Sequence, residues 1–132
     1  MARLGDAEML TIPGELHPEL AIGGYDGSQT PGGVANIWSP GNQEPSNLNE
    51  APAGPYLRDL MEQRVKFVFG LTQDFLGYIL PHFNFKLEPT NPYLSEPAIG
   101  DHYEETNSTG PMITDVINDN YREMSQELHA GQ

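Results

Sequence analysis

The chain has 132 residues, the size of one ordinary domain, and its 19 acidic residues outnumber its 6 basic ones, for a formal net charge of −13. Because nucleic-acid binding needs a basic patch that neutralises phosphates, this balance excludes nucleic acid as an expected partner. The chain has no cysteine, which excludes disulfides and thiolate zinc sites, and no run of roughly 20 apolar residues that would predict a membrane span.

The first predicted elements are a strand, a turn and a loop. The strand is AEMLTI, residues 7–12, and it runs into Pro13-Gly14. This pair typically ends a strand, because proline cannot donate to a ladder and glycine permits the turn. A carboxylate, Glu15, follows at once, and HPELAIGG after it has room for one helical turn. Residues 23–54 are rich in proline and glycine and predict a long loop.

The rest of the chain predicts two helices and a buried strand. Apolar residues recur at helical spacing over residues 55–64 and again over 110–129. Between them, VKFVFGLT is a continuous β-branched and aromatic run, the pattern of a buried strand. QDFLGYILP then predicts either a short helix or an extended segment, and residues 81–102 are irregular. We therefore predict a partial α/β domain of short strands, two main helices and long irregular loops.

Two strand ends carry the polar residues that could form a site. The first displays Glu15, and the second leads to Thr72, Gln73 and then Tyr78. Ligands in α/β folds commonly bind at strand ends. The residues alone favour the ordinary interpretation, with Glu15 a solvated turn carboxylate and Tyr78 a half-buried ring. No paired-histidine metal motif, nucleophile elbow or phosphate-binding loop is present.

Three blocks, TIPGEL, FVFGLTQDFLGYILP and HYEETNSTGP, occur in the order in which similar blocks close the catalytic domain of neutral/alkaline ceramidases. The chain therefore resembles the carboxy-terminal part of that domain. The family is a zinc-dependent amidase that cleaves the N-acyl bond of ceramide, with two histidines, a glutamate and a tyrosine as ligands. The glutamate of its Pro-Gly-Glu turn falls on Glu15 and its tyrosine on Tyr78.

The resemblance implies an incomplete Zn²⁺ site, because the family's two histidine ligands lie in segments outside this chain. None of the four histidines here falls on a matching motif: His17, His82, His102 and His129. Tyr78 would act as a ligand, or as a hydrogen-bond donor to the oxyanion while the metal polarises the amide carbonyl. We expect the isolated chain to be inactive.

The same resemblance implies binding partners and a cellular location. Residues 1–132 would form the carboxy-terminal segment of a ceramidase-like hydrolase, whose partners are the remainder of the catalytic domain and a lipid-like amide, ceramide or a related lipid. The parent protein would be secreted or periplasmic. Several apolar residues are expected to line the substrate pocket: Phe75, Leu76, Ile79, Phe83 and Phe85. The alternative is a free-standing, non-catalytic acidic module that binds a partner through the 23–54 loop.

Overall fold

The computed structural model describes residues 1–25, 47–87, 90–91 and 103–130. Most of the predicted 23–54 loop and His102 lie outside these ranges. The strands are β1 (Ala2–Leu4), β2 (Ala7–Thr11), β3 (Glu15–Leu16), β4 (Val65–Phe69) and β5 (Tyr78–Ile79). The α-helices are α1 (Pro18–Ile22), α2 (Tyr103–Thr106) and α3 (Ile113–Ala130), and short 3₁₀ turns cover Leu48–Glu50, Leu57–Leu60 and His82–Asn84. The described residues therefore form a small α/β arrangement.

The strands form two small sheets. In the first, the order is β1-β2-β4, with β1 antiparallel to β2 and β2 parallel to β4. In the second, β3 and β5 run parallel, and Glu15 stands opposite Tyr78. The two sheets are formed by consecutive parts of the same two chain segments. At the end of the first sheet, Ile12 donates its N–H to the Phe69 carbonyl (2.8 Å). The ends of β2 and β4 therefore lead directly into the β3–β5 ladder.

A single apolar cluster joins the first sheet, the 3₁₀ turn at 57–60 and the long helix α3. In β2 the residues alternate between half-buried and buried, and Leu10 is fully buried. Helix α3 contributes Ile117 and Tyr121, as its predicted periodicity requires. The cluster consists of Leu10, Ile12, Leu20, Leu57, Met61, Ile79, Ile117 and Tyr121. No helix in the described ranges combines the length and the apolar character needed to cross a bilayer.

The helix predicted over 55–64 is wrong, and a buried carboxylate explains why. Only the 3₁₀ turn Leu57–Leu60 forms, and Met61 is already extended. The N–H groups of Glu62 and Gln63, which would continue a helix, donate instead to the carboxylate of Glu8 at 3.0 and 3.2 Å. A charged acceptor supplies a stronger hydrogen bond than a carbonyl, so the chain turns away after one turn.

Two further predictions need correction. The strand β4 forms where VKFVFGLT predicted it, but it is not buried on both faces, since Phe67 and Phe69 are each 43% exposed. Helix α3 begins at Ile113 rather than at residue 110. Val116, which belonged to its predicted apolar stripe, is 53% exposed. The helix thus turns a partly polar stripe inward, because the hydroxyls of Thr114 and Ser125 donate to backbone carbonyls of other segments.

Candidate functional site

The Pro13-Gly14 turn is held by a second turn that wraps around it. Leu71 and Leu76 donate their N–H groups to the carbonyls of Gly14 and Pro13, both at 2.8 Å. Gly14 itself permits this approach, because a methyl group there would lie 2.7 Å from the Gly77 carbonyl oxygen. The glycine therefore brings the two turns close enough for the following residues to pair as β3 and β5. Glu15 is the first residue displayed beyond the turn, and its side chain is exposed.

Gly77 places Tyr78 between two neighbouring segments. Its φ of +81° lies in the left-handed region, and a Cβ atom there would collide with the backbone carbonyl of Asn107. With no side chain in the way, Tyr78 donates its N–H to that carbonyl at 2.9 Å and forms a parallel bridge with Ser108. Tyr78 thus has β3 on one side and residues 107–108 on the other.

Glu15 and Tyr78, the two residues that the sequence singled out, are direct neighbours. They stand opposite each other in the β3–β5 register, and the Tyr78 phenol lies close enough to the Glu15 carboxylate to feel its charge. Loss of water around the ring, and after it the charge of Glu15, raises the pKa of Tyr78. Tyr103 and Glu104 of α2 act in the same direction. The phenol therefore keeps its proton beside this carboxylate.

His17 joins this pair, which the sequence did not predict. Its ring meets that of Tyr78 edge to face, with the ring centroids 6.5 Å apart. Its Nδ1 atom is buried and has no hydrogen-bond partner among the described residues. Burial lowers the pKa of His17 to about 4, so its imidazole is neutral at pH 7. One feature of the sequence could have indicated this position: His17 is two residues after Glu15, and residues two apart on an extended chain share a face.

Tyr103 closes the other side of the Tyr78 ring. The two rings meet edge to face with centroids 5.8 Å apart, and Tyr103 is 50% exposed. Glu104 beside it adds a second carboxylate near the Tyr78 hydroxyl. The site is therefore a phenol surrounded by acidic groups, an aromatic neighbour and a neutral imidazole, and it opens to solvent at Glu15.

The other residues that the sequence singled out make contacts within the fold and not with the Glu15–Tyr78 pair. The Thr72 hydroxyl lies against the carbonyls of Ile12 (3.1 Å) and Phe69, while Gln73 accepts a hydrogen bond from Thr11. Three of the residues expected to line a pocket have other positions. Ile79 belongs to the core, Phe75 is 64% exposed, and Phe83 packs against Tyr25 with ring centroids 5.4 Å apart.

The donor set fits a metal site in part. Glu15 and Tyr78 present two oxygen atoms of the kind that zinc accepts. A nearby dication would also offset the charge of Glu15 and favour release of the phenolic proton. Within the ranges that the structure describes, however, there is no group of three or more histidine, aspartate and glutamate side chains able to hold a metal. The residues present therefore supply part of a coordination shell.

A second carboxylate–histidine pair lies elsewhere, between β2 and the end of α3. Glu8 is fully buried, and its Oε1 lies 3.2 Å from Nε2 of His129. Nδ1 of His129 lies 3.3 Å from the Ser125 hydroxyl oxygen and 3.5 Å from a carboxylate oxygen of Glu62. The Ser125 hydroxyl donates to the Leu60 carbonyl. Because these groups are directed at each other and enclosed, this cluster has a structural role.

Comparison with family models, with curated proteins and with solved structures finds no match for the chain. The interpretation of the Glu15–Tyr78 site depends accordingly on its own geometry and chemistry.

Proposed function

We propose that this chain supplies Glu15 and Tyr78 to the zinc site of an amidohydrolase that resembles neutral ceramidase. The proposal is supported by one observation above others. Two residues far apart in the sequence, chosen from separate blocks of that resemblance, stand opposite each other in the β3–β5 pair. Zinc at this position would supply Lewis-acid polarisation of an amide carbonyl.

The residues of the chain have distinct parts in this function. The Glu15 carboxylate, exposed at the turn, would hold the cation, with the Tyr78 phenol opposite it. The Tyr78 phenol would donate a hydrogen bond to an oxygen that becomes negative during acyl transfer. Gly14 and Gly77 keep these side chains together by permitting the close backbone approach. The substrate class that this proposal assigns is the N-acyl bond of ceramide or a related lipid.

An open face of the first sheet supports the second part of the proposal, that the remainder of a catalytic domain is a partner. Phe67 and Phe69 stack with centroids 5.6 Å apart, and both are 43% exposed. They share their face of the sheet with Met9, which stands opposite Phe67 in the parallel β2–β4 pair. Sheets with parallel strands are normally covered on both faces. The remainder of the domain would cover this one.

The experiment compares variants within a preparation that contains the complete catalytic domain. Glu15→Gln keeps the shape of the side chain and removes its charge, and Tyr78→Phe removes only the phenolic oxygen. Each variant should lower hydrolysis of a short-chain fluorescent ceramide by orders of magnitude, and Glu15→Gln should also lower the zinc content. Glu123→Gln, an exposed acid on α3, is the matched control and should retain full activity.

Melting curves of all variants are measured alongside, since an unfolded variant would imitate an inactive one. Losses of 100-fold or less with zinc retained would indicate that the two residues act only through others. Near-normal turnover in both variants would contradict the proposal. The non-catalytic alternative depends on residues 23–54, most of which lie outside the described ranges.

The isolated chain provides a separate test of the same proposal. With only part of the coordination shell, it should show no chelator-sensitive hydrolysis of the fluorescent ceramide. It should also bind hydrophobic dyes through the face that carries Phe67 and Phe69. Clear hydrolysis by the purified 132-residue chain would show that the site does not need a partner.

A further inference from the structure

We infer that a cavity lined by residues of α1, the 57–60 turn and β4 binds a phosphate group through Arg58 and Lys66. The cavity has a volume of about 220 Å³, and its lining residues are Ile22, Arg58, Asp59 and Lys66. All four lie outside the three blocks of the family resemblance. The inference therefore goes beyond the proposed function and stands without it.

The first argument is the local charge. The chain has a net charge of −13, yet two cations and one carboxylate line this cavity. Lys66 is half-buried, and its ammonium group donates to the Arg58 carbonyl at 3.0 Å. An ammonium has three donors, and the described residues provide no second acceptor for this one. Lys66 can therefore still donate to a ligand beside Arg58.

The second argument is that the nearest acids are engaged elsewhere. The Asp59 carboxylate accepts the Tyr56 N–H at 2.8 Å, at the start of the 57–60 turn. Glu8 stands opposite Lys66 in the β2–β4 register, but its carboxylate faces His129 and accepts two backbone N–H groups. Both carboxylates are thus held by other partners.

The two cations of the cavity accordingly lack an ion pair in the described part of the chain. The ion pairs found there involve Arg64 and His129, and neither Arg58 nor Lys66 takes part. Partial burial of a charged group is unfavourable unless an opposite charge or hydrogen bonds compensate for its lost hydration. A bound anion would provide that compensation for Lys66.

The third argument is the chemistry and size of the site. The fork of a guanidinium group matches phosphate oxygens, and an ammonium group adds a point charge. Cavities that enclose organic ligands commonly measure roughly 300–1,000 Å³, so this one suits a small ion or a single headgroup. Two cations do not form the extended basic patch that nucleic acid needs. We expect either inorganic phosphate or the phosphate group of a monoester whose organic part stays in solvent.

The experiment titrates the whole chain with inorganic phosphate at fixed ionic strength and measures binding by calorimetry, with sodium chloride as the control salt. One equivalent of phosphate should bind saturably, and chloride should not. Arg58→Gln and Lys66→Gln should each weaken phosphate binding by at least about 10-fold. Arg122→Gln removes an exposed base on α3 and should change binding less than about 2-fold, because distant charges are screened.

A third variant should tighten binding, which a misfolded protein would not do. In Asp59→Asn the side-chain oxygen can still accept the Tyr56 N–H, while the negative charge beside the cavity is lost. Phosphate affinity should rise by about 3-fold. In the unmodified chain, the backbone amide NMR signals of Arg58, Asp59 and Lys66 should shift saturably with phosphate, and that of Arg122 should not.

Three results would overturn the inference: no saturable phosphate binding, unchanged affinity in both Arg58→Gln and Lys66→Gln, or equal weakening by Arg122→Gln. A parallel titration with glycerol 3-phosphate identifies the source of the phosphate group. Tighter binding than inorganic phosphate would support the site and assign it to a monoester. Equal or weaker binding, with inorganic phosphate bound as expected, would support the site and assign it to the free ion.

Discussion

Among the residues that the structure describes, two regions bring a carboxylate and a histidine near each other, and they are built in opposite ways. Glu8 and His129 are enclosed, with side chains 0% and 12% exposed. Two backbone N–H groups donate to the Glu8 carboxylate oxygen that does not face His129. Glu15 is exposed, and the neighbouring His17 keeps an unpartnered nitrogen among the described residues. The first group joins β2 to the end of α3, whereas the second faces outward from a two-residue ladder.

The difference shows how a structural cluster can be distinguished from a binding site when residue types are the same. A buried charge is retained only where hydrogen bonds and an opposite charge compensate for its lost hydration. Glu8 is enclosed by such groups: two backbone N–H groups donate to its Oε2, and its Oε1 lies 3.2 Å from Nε2 of His129. Glu15 is exposed instead, so its carboxylate can be reached by a ligand from solvent. The following predictions test this contrast, from the largest expected effect to the smallest.

Removing the charge of Glu8 should have the largest effect on stability. Glu8→Gln loses the charge that faces His129 and weakens the acceptor for the Glu62 and Gln63 N–H groups. Breaking a buried pair typically costs about 3–5 kcal/mol. Chemical denaturation should show a decrease of that size in the free energy of unfolding. A decrease below about 1 kcal/mol would mean that the cluster does not hold α3.

Adding one methyl group at Gly77 should disrupt the frame of the outward-facing site. Gly77→Ala places a Cβ against the Asn107 carbonyl and requires a left-handed backbone at a non-glycine residue. Overpacking and backbone strain together should lower the free energy of unfolding by about 2–4 kcal/mol. Gly5→Ala is the matched control, because Gly5 also has a positive φ but no atom within 4 Å of the added methyl. Equal losses in the two variants would show that only backbone strain matters.

Acidification should destabilise the chain through His17. In the folded protein the pKa of His17 falls from 6.5 to about 4, so the unfolded chain binds a proton that the folded chain does not. Stability from the neutral ring is therefore complete above pH 6.5 and decreases as the pH falls towards 4, by up to about 3 kcal/mol. Denaturation in chelator should show this decrease, and His17→Gln should remove it. A variant with the same pH profile as the original would contradict the assignment.

Glu15→Gln should change stability least. The side chain is exposed, and the amide of glutamine has the same shape as the carboxylate. We expect the free energy of unfolding to change by less than about 0.5 kcal/mol, as for other exposed positions. A loss approaching that of Glu8→Gln would show that both carboxylates are structural, and the contrast between the two groups would disappear.

Local patterns predicted several elements correctly. AEMLTI forms β2, the Pro13-Gly14 turn ends it, and HPELAIGG supplies the short helix α1. The apolar spacing of the last segment predicted α3, because amphipathic helices repeat over their whole length. The QDFLGYILP segment was left open between a helix and an extended form, and it is extended at β5. These elements depend on neighbours in the sequence.

The errors arose where a distant residue changed the outcome. The helix over 55–64 fails because Glu8, on another strand, takes its N–H groups. On α3, Thr114 and Ser125 are buried and Val116 is exposed, because the two hydroxyls donate to the carbonyls of Leu80 and Leu60. Those hydrogen bonds connect the helix to β5 and to the 57–60 turn. A periodicity of side chains contains no information on which carbonyls will need a donor.

The same division applies to the site. The sequence by itself determined the strand-ending turn, the display of Glu15 beyond it and the candidacy of Tyr78, because proline, glycine and residue type act locally. Only the tertiary structure decided that Glu15 and Tyr78 are paired, that His17 stands beside them and that Glu8 and His129 are enclosed. The reason is physical. Pairing between parallel strands and the burial of charge depend on contacts between segments far apart in the chain, and a carboxylate is a ligand or a structural anchor according to what surrounds it.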